Sequence, residues 1–242
     1  MRFEMIQEQH RDLEWNQETS HKDLSSLAKV AAQFLKFQVF PATHVSKALS
    51  ALLTAANDSN WHTRVASLSF MQSFAYRHTF LLSMESLTNV WNEVKKLLFD
   101  PQIEVKELAS ITLTGMMKGC DEQLFKSFCD SQLETAREYL KSKRGRKLVN
   151  SGTSKDIHAL VLGLSACVQS VPYDMPGWLP KVVTTLAQFS KESSAAVRET
   201  VRKCLSEFRR THADTWAVQK FMFNEEELEI LTDTSSSASY FA

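Results

Sequence analysis

Apolar residues return along this chain at intervals of three and four, the period of an α-helix with one buried face. Leu24, Leu27, Ala28, Ala31 and Leu35 form one such stripe, and Val45, Leu49, Leu52 and Ala56 form the next. The pattern predicts a long helix from about Trp61 to Leu82, carrying Val65, Leu68, Met71, Phe74 and Leu81. Val90, Val94, Leu97 and Leu98 make a further stripe, followed by Val105, Leu108, Ala109, Leu113 and Met116. Val182, Leu186 and Phe189 come later, then Val197, Val201, Cys204, Leu205 and Phe208. No convincing run alternates with period two, so strands are not expected.

Polar positions mark the ends of these stripes. Asp100-Pro101 offers an N-cap with proline at the first helical position. Asn224, with Glu227 three residues on, is close to a capping box. Pro172, Pro176 and Pro180 punctuate one loop, and Pro180 opens a helix. An acid also stands six positions before a base in a recurring way: Asp58 before Arg64, Asp100 before Lys106, Glu192 before Arg198. Arg64 and Lys106 are 42 positions apart, and His158 lies roughly midway to the later helix. A period of about 40–47 residues with two helices per unit is that of HEAT-type repeats. Each acid can cap one helix while reaching the base of a neighbour. The plainer alternative is a set of ordinary caps and solvated charges at coincidental spacing. The apolar first stripe lacks a capping repeat before it, as expected for part of a longer array.

Composition agrees with helices joined by short turns: 43% of the 242 residues are hydrophobic, with only 6 glycines and 5 prolines. Lys+Arg and Asp+Glu are 28 each, so bulk charge points to neither nucleic acid nor acidic substrates. Cys120, Cys129, Cys167 and Cys204 show no CxxC spacing and read as buried free thiols of a reducing compartment. The acidic N-terminal stretch is no secretory signal, and no run reaches the ~18 apolar residues of a membrane span. An intracellular, soluble protein is expected.

Motifs for catalysis are missing from the sequence: no GxSxG, no Walker loop, no GxGxxG, no HExxH and no Cys/His zinc spacing among the seven histidines. No cofactor, metal or catalytic residue is therefore assigned. His62 and His78 read as surface or packing residues, and Trp15, Trp61, Trp91, Trp178 and Trp216 as inter-helix packing. Lys141, Lys143, Arg144, Arg146 and Lys147 form a basic run before Asn150–Ser154, an exposed loop interrupting the repeats. Such a run suits a nuclear-import signal, a nucleic-acid contact or a solvated loop. Aromatic residues do not interleave it, which weakens the nucleic-acid reading. Finally, Tyr240-Phe241-Ala242 follows the serine-rich run Ser235–Ser239. Serines cannot pack a core, so a flexible tail is expected, with two aromatics that either fold back or find a partner.

A resemblance to a known family rests on several segments. Pro172-Tyr173-Asp174-Met175-Pro176-Gly177-Trp178-Leu179-Pro180 resembles the PYDxPxWxP signature of the large monomeric HEAT-repeat proteasome activators, the proteasome activator subunit 4 family. Phe208-Arg209-Arg210-Thr211-His212 with Asp214 and Trp216 is similar to the family's FRRTHxDxW element, and Leu231-Thr232-Asp233 to its LTD. Trp61-His62 with Arg64, and Glu104-Val105-Lys106-Glu107 with Ala109, resemble earlier family helices. A basic insertion before the PYDxP loop is a family feature too. The similarity runs from about residue 15 to the end.

The resemblance implies an all-α solenoid that docks on the outer α-ring of the 20S proteasome and promotes peptide entry without ATP, a regulator rather than an enzyme. It implies a hydrophobic-tyrosine-any tail that inserts between two α-subunits, here with Tyr240, Phe241 and Ala242 in those positions. The Ala242 carboxylate would pair with a pocket lysine. Phe241 departs from the pattern, since it lacks a hydroxyl whose hydrogen bond is worth about 0.5–1.5 kcal/mol. Nuclear and cytoplasmic residence, DNA repair and turnover of acetylated histones are further implications, with neither membrane nor direct nucleic-acid binding. No residue here can be assigned to acetyl-lysine or inositol phosphate. The expected organisation is HEAT-like repeats over 1–140, a basic loop over 141–155, C-terminal repeats over 156–231 and a docking tail over 232–242. The competing reading is a generic HEAT scaffold or transport-adaptor piece that uses a concave helical face.

Overall fold

The computed structural model describes residues 39–119, 121–144 and 154–236. Among them are ten α-helices and no strand, as the period of the apolar stripes requires. In chain order they are α1 (Ala42–Ala56), α2 (Trp61–Arg77), α3 (Met84–Leu97), α4 (Ile103–Met117), α5 (Glu122–Arg144), α6 (Ser154–Ser170), α7 (Leu179–Ala187), α8 (Ala195–His212), the short α9 (Trp216–Gln219) and α10 (Glu225–Ser236).

Consecutive helices pack as hairpins: α1 with α2, α3 with α4, α5 with α6, α7 with α8. The second helices of the hairpins also pack in sequence, α2 on α4, α4 on α6, α6 on α8. First helices form the other layer, where α1 meets α3, α5 meets α7, and α10 covers α7. This is the two-layer, all-α solenoid expected of repeats that bury their faces only against neighbours. Burial follows position in the stack. Helix α6, flanked by four others, is buried all round from His158 to Val168. Its Gly163 faces α5 closely: a Cβ there would lie 3.3 Å from Phe128 Cζ and 2.5 Å from Gln132 Oε1, so the end of the Gln132 side chain would have to move aside. Leu68, Val94, Leu113, Leu164, Leu186 and Val197 are wholly buried, each contributing about 1.5–3 kcal/mol of transfer free energy.

The acid–base repeat closes the first junction as the spacing suggested. Arg64 Nε donates to Asp100 Oδ2 at 2.6 Å and its Nη2 to Asp100 Oδ1 at 2.9 Å, while Nη1 bonds the carbonyls of Asp58 and Ser59. Asp100 also accepts from the Gln102 N–H at 2.9 Å. One carboxylate thus orders the start of α4 and grips α2. Arg198 repeats half of this motif, its Nη1 bonding the Glu192 and Ser193 carbonyls at 2.6 Å. Its acid serves elsewhere: buried Glu192 accepts from Lys143 Nζ and, at 3.2 Å, from Tyr139 O–H of α5. The third junction is neutral, with His158 Nε2 3.1 Å from Thr200 Oγ1.

Three expectations need correction. The long helix ends at Arg77, not Leu82: His78 is its C-cap, with a buried ring, and its carbonyl takes the Leu81 and Leu82 N–H groups at 2.8 and 2.9 Å in a turn. Asp100 is not the N-cap of α4, which starts at Ile103; its side chain instead closes a turn onto Gln102 N. The basic run is not all loop, since Lys141, Lys143 and Arg144 lie in the last turn of α5, where Lys143 is tied to Glu192. Arg146 and Lys147, like Cys120 and the stripe from Leu24 to Leu35, lie outside the described residues.

Candidate functional site

The chain segment that leads to Tyr240, Phe241 and Ala242 is α10, and its base is built with care although those three residues lie outside the described ones. Its start is a reciprocal capping box: Glu227 N–H donates to Asn224 Oδ1 at 2.8 Å and Asn224 N–H to Glu227 Oε2 at 3.0 Å. Glu225, Glu226 and Glu227 complement the positive end of the helix dipole. At the other end Arg209 of α8 reaches across, Nη2 donating to the Leu231 carbonyl at 3.3 Å and to Thr234 Oγ1 at 3.2 Å. The Leu231 carbonyl lies five residues before the end of the helix at Ser236, so Arg209 braces the side of α10 rather than capping it. These contacts carry α10 through Ser236, beyond the boundary at 231 read from the sequence.

Arg209 sits differently from Arg64. Burial holds its pKa below the usual arginine value, and no carboxylate among the described residues pairs with it. Asp100, by contrast, raises the pKa of Arg64.

The two segments that drew attention in the sequence meet here. His212, fully buried, stacks against Phe208 with centroids 4.3 Å apart and places Nδ1 2.9 Å from the Phe208 carbonyl. Its Nε2 lies 3.3 Å from the Asp174 carbonyl, in the Pro172–Pro180 loop. Gln219 Nε2 donates to the Tyr173 carbonyl at 3.1 Å, a second tie to that loop. Trp216 packs edge-on to Phe208 at 6.3 Å and against Phe223 at 5.5 Å, and Trp178 against Phe125 at 4.9 Å. Trp178 and Trp216, like Trp91 against Phe128 at 5.7 Å, are thus packing residues, as expected; Trp61 stacks on its neighbour His62, and Trp15 lies outside the described residues. Phe74 and His78 form the same four-residue pair at the end of α2, with ring centroids 4.5 Å apart. Sequence reasoning missed that recurrence, although F-x-x-x-H at the ends of α2 and α8 would have shown it.

Between α8, α9 and α10 lies a half-enclosed cavity of about 480 Å³, lined by Leu205, Phe208, His212, Trp216, Leu228 and Leu231, with Arg209 on its wall. No sequence signal marked it, because its walls come from three elements. Among the described residues no group of His, Cys, Asp and Glu could hold a metal ion. Cys129, Cys167 and Cys204 are free and buried, and burial pushes the Cys204 thiol up to about 12. Such a thiol is protonated and unreactive at neutral pH. No helix among the described residues is long and apolar enough to cross a membrane.

Residues 154–242 match a family described as "Proteasome activator complex subunit 4-like, C-terminal". Over 226 residues, 93% of this chain, it is 50% identical to proteasome activator subunit 4 of Arabidopsis thaliana, covering 12% of that protein. Identity is 31% over 234 residues, 93% of this chain and 13% of the relative, with proteasome activator complex subunit 4 of Homo sapiens. With proteasome activator BLM10 of Saccharomyces cerevisiae it is 27% over 223 residues, 87% of this chain and 10% of the relative. The chain therefore spans only about an eighth of the length of the animal and plant relatives.

Proposed function

We propose that this chain, which carries the C-terminal region of the proteasome activator subunit 4 family, anchors a proteasome activator to the 20S core through Tyr240, Phe241 and Ala242. The observation that carries this reading is the family match over residues 154–242, which spans α6 to α10 and the tail itself.

In the proposed mechanism the tail inserts between two subunits of the α-ring. Tyr240 and Phe241 bury aromatic area, and the Ala242 carboxylate takes a charge-assisted bond from a pocket lysine. Backbone groups add strand-like hydrogen bonds. The six residues after Ser236 reach about 20 Å when extended at ~3.3 Å per residue. Ordering them costs conformational entropy on docking, so a firm base matters. The Arg209 bonds to Leu231 and Thr234 support this reading, because they brace the last turns of the helix from which the tail departs, and the capping box fixes the helix at its start. Activation without ATP follows from a mechanism of binding alone, since docking needs no hydrolysis. Arg146 and Lys147, with the helical Lys141 and Arg144, remain a proposed nuclear-import element; Lys143 contributes less, being held by Glu192. Residence in nucleus and cytoplasm, and a part in DNA repair or the turnover of acetylated histones, belong to the same proposal.

Deleting Tyr240–Ala242 tests the anchor. Co-sedimentation of the chain with purified 20S core is expected to weaken about tenfold or more, the scale for losing two buried aromatics. Unchanged binding would overturn the proposal. Phe241→Tyr is expected to raise peptide-hydrolysis stimulation more than binding, by restoring the hydroxyl at that position.

A further inference from the structure

We infer that the cavity between α8, α9 and α10 is a binding site for this chain's own C-terminal segment, Ser237–Ala242, which holds its aromatic side chains there until a partner takes them. Nothing among the described residues fills the space bounded by Leu205, Phe208, Trp216, Leu228 and Leu231, a half-enclosed apolar cavity of about 480 Å³. Water in such an open apolar cavity is displaced favourably by an apolar group, in proportion to the apolar surface covered.

Three observations select the occupant. The first is reach. Thr232 and Leu228 on the cavity wall lie four and eight residues before Ser236, about 6 and 12 Å along the helix axis at ~1.5 Å per residue. Residues 237–241 span about 16 Å when extended, so a reversal after Ser236 brings Tyr240 and Phe241 back over those positions. The second is chemical fit. The segment's only large side chains are aromatic, and the wall presents Phe208, Trp216 and His212 for edge-on and stacked contacts. The third is charge. Arg209, on the same wall, is a half-buried guanidinium whose described partners are a carbonyl and a hydroxyl, with no acid against it. An aromatic face is a good neighbour for such a cation, because the ring offers negative potential without a further buried charge.

The segment after α10 thus has two destinations, the cavity in cis and the partner in trans. A segment held in cis lowers the apparent affinity for the partner by the fraction that is free. That competition rests on the docking reading above; the cis contact does not.

The test uses the full chain without any partner. The Trp216 indole N–H resonance is followed in Tyr240→Ser/Phe241→Ser, with Trp91, buried far from the cavity, as control. Trp216 is expected to shift while Trp91 stays, and free peptide Ser235–Ala242 added to the double variant is expected to return Trp216 toward its original position. An unshifted Trp216 overturns the inference, as does a shift the peptide fails to reverse. A second variant, Thr232→Trp, crowds the cavity from an exposed helix position and keeps the tail sequence. It is expected to tighten binding to 20S core about threefold or more. No gain while the wild-type chain binds overturns the competition. Absence of all 20S binding alongside a shifted, peptide-reversible Trp216 overturns the docking reading and leaves the cavity site standing.

Discussion

Arg64 on α2 and Arg209 on α8 occupy the same layer of the solenoid, and the fold treats them in opposite ways. Arg64 completes a two-pronged pair with Asp100 and bonds two carbonyls besides. Asp100 raises its pKa, so pairing outweighs the burial that opposes the charge. Arg209 has only neutral acceptors, and burial lowers its pKa. The first is a finished structural joint between two repeats. The second is a cation kept beside an apolar cavity at the end of the array. Between them stands the third junction, where neutral His158 meets Thr200 and both burial and the charge of Lys106 depress its pKa.

The largest effect is expected where the comparison is sharpest. Asp100→Ala leaves Arg64 without its acid and the turn at Gln102 without its acceptor, at a cost of about 2–3 kcal/mol in urea unfolding. Asp100→Asn, which keeps one acceptor oxygen, should lose less; equal losses would show that the charge carries the whole contribution and the remaining oxygen none.

The next effect is a pH dependence. A histidine whose folded pKa lies below its unfolded value of about 6.5 favours the folded state above that value. Its contribution is lost as pH falls from there toward the folded pKa, because the unfolded chain takes up the proton first. Stability of the native chain should therefore decline between about pH 7 and 5 more steeply than that of His158→Gln. Parallel curves would remove His158 from the account.

The smallest effect is expected at Arg209. Arg209→Met gives up two long hydrogen bonds to α10, and it relieves a half-buried cation. Stability should change by no more than about 0.5–1 kcal/mol. A loss as large as that of Asp100→Ala would mean that the two arginines are equivalent joints, and the comparison would fail.

Much of the architecture was legible in the chain. The stripes from Val45 to Met116 and from Val182 to Phe208 mark helices, since a 3.6-residue period is a local property of the backbone, whereas α5 and α6 carried no named stripe, α6 being buried on every side. The Asn224–Glu227 capping box closes as its spacing suggests, for the same reason. Errors arose where a neighbour in space decided the matter. The helix from Trp61 stops at Arg77 although apolar Phe80, Leu81 and Leu82 follow: His78 is buried in the packed structure and its carbonyl takes the Leu81 and Leu82 N–H groups in a turn. Lys143 reads as a solvated basic residue until Glu192, 49 positions away, is seen to bind it.

The sequence by itself determined that the chain is a stack of helical hairpins. It could do so because periodicity, caps and signature residues are carried by near neighbours along the chain. Only the tertiary structure decided which charges are joined and which are left over. It also decided that Leu205, Trp216 and Leu228, from three different helices, surround one space. Burial and pairing are properties of the packed assembly, where the cost of an unpartnered charge or an unfilled cavity depends on what other helices bring to the same place.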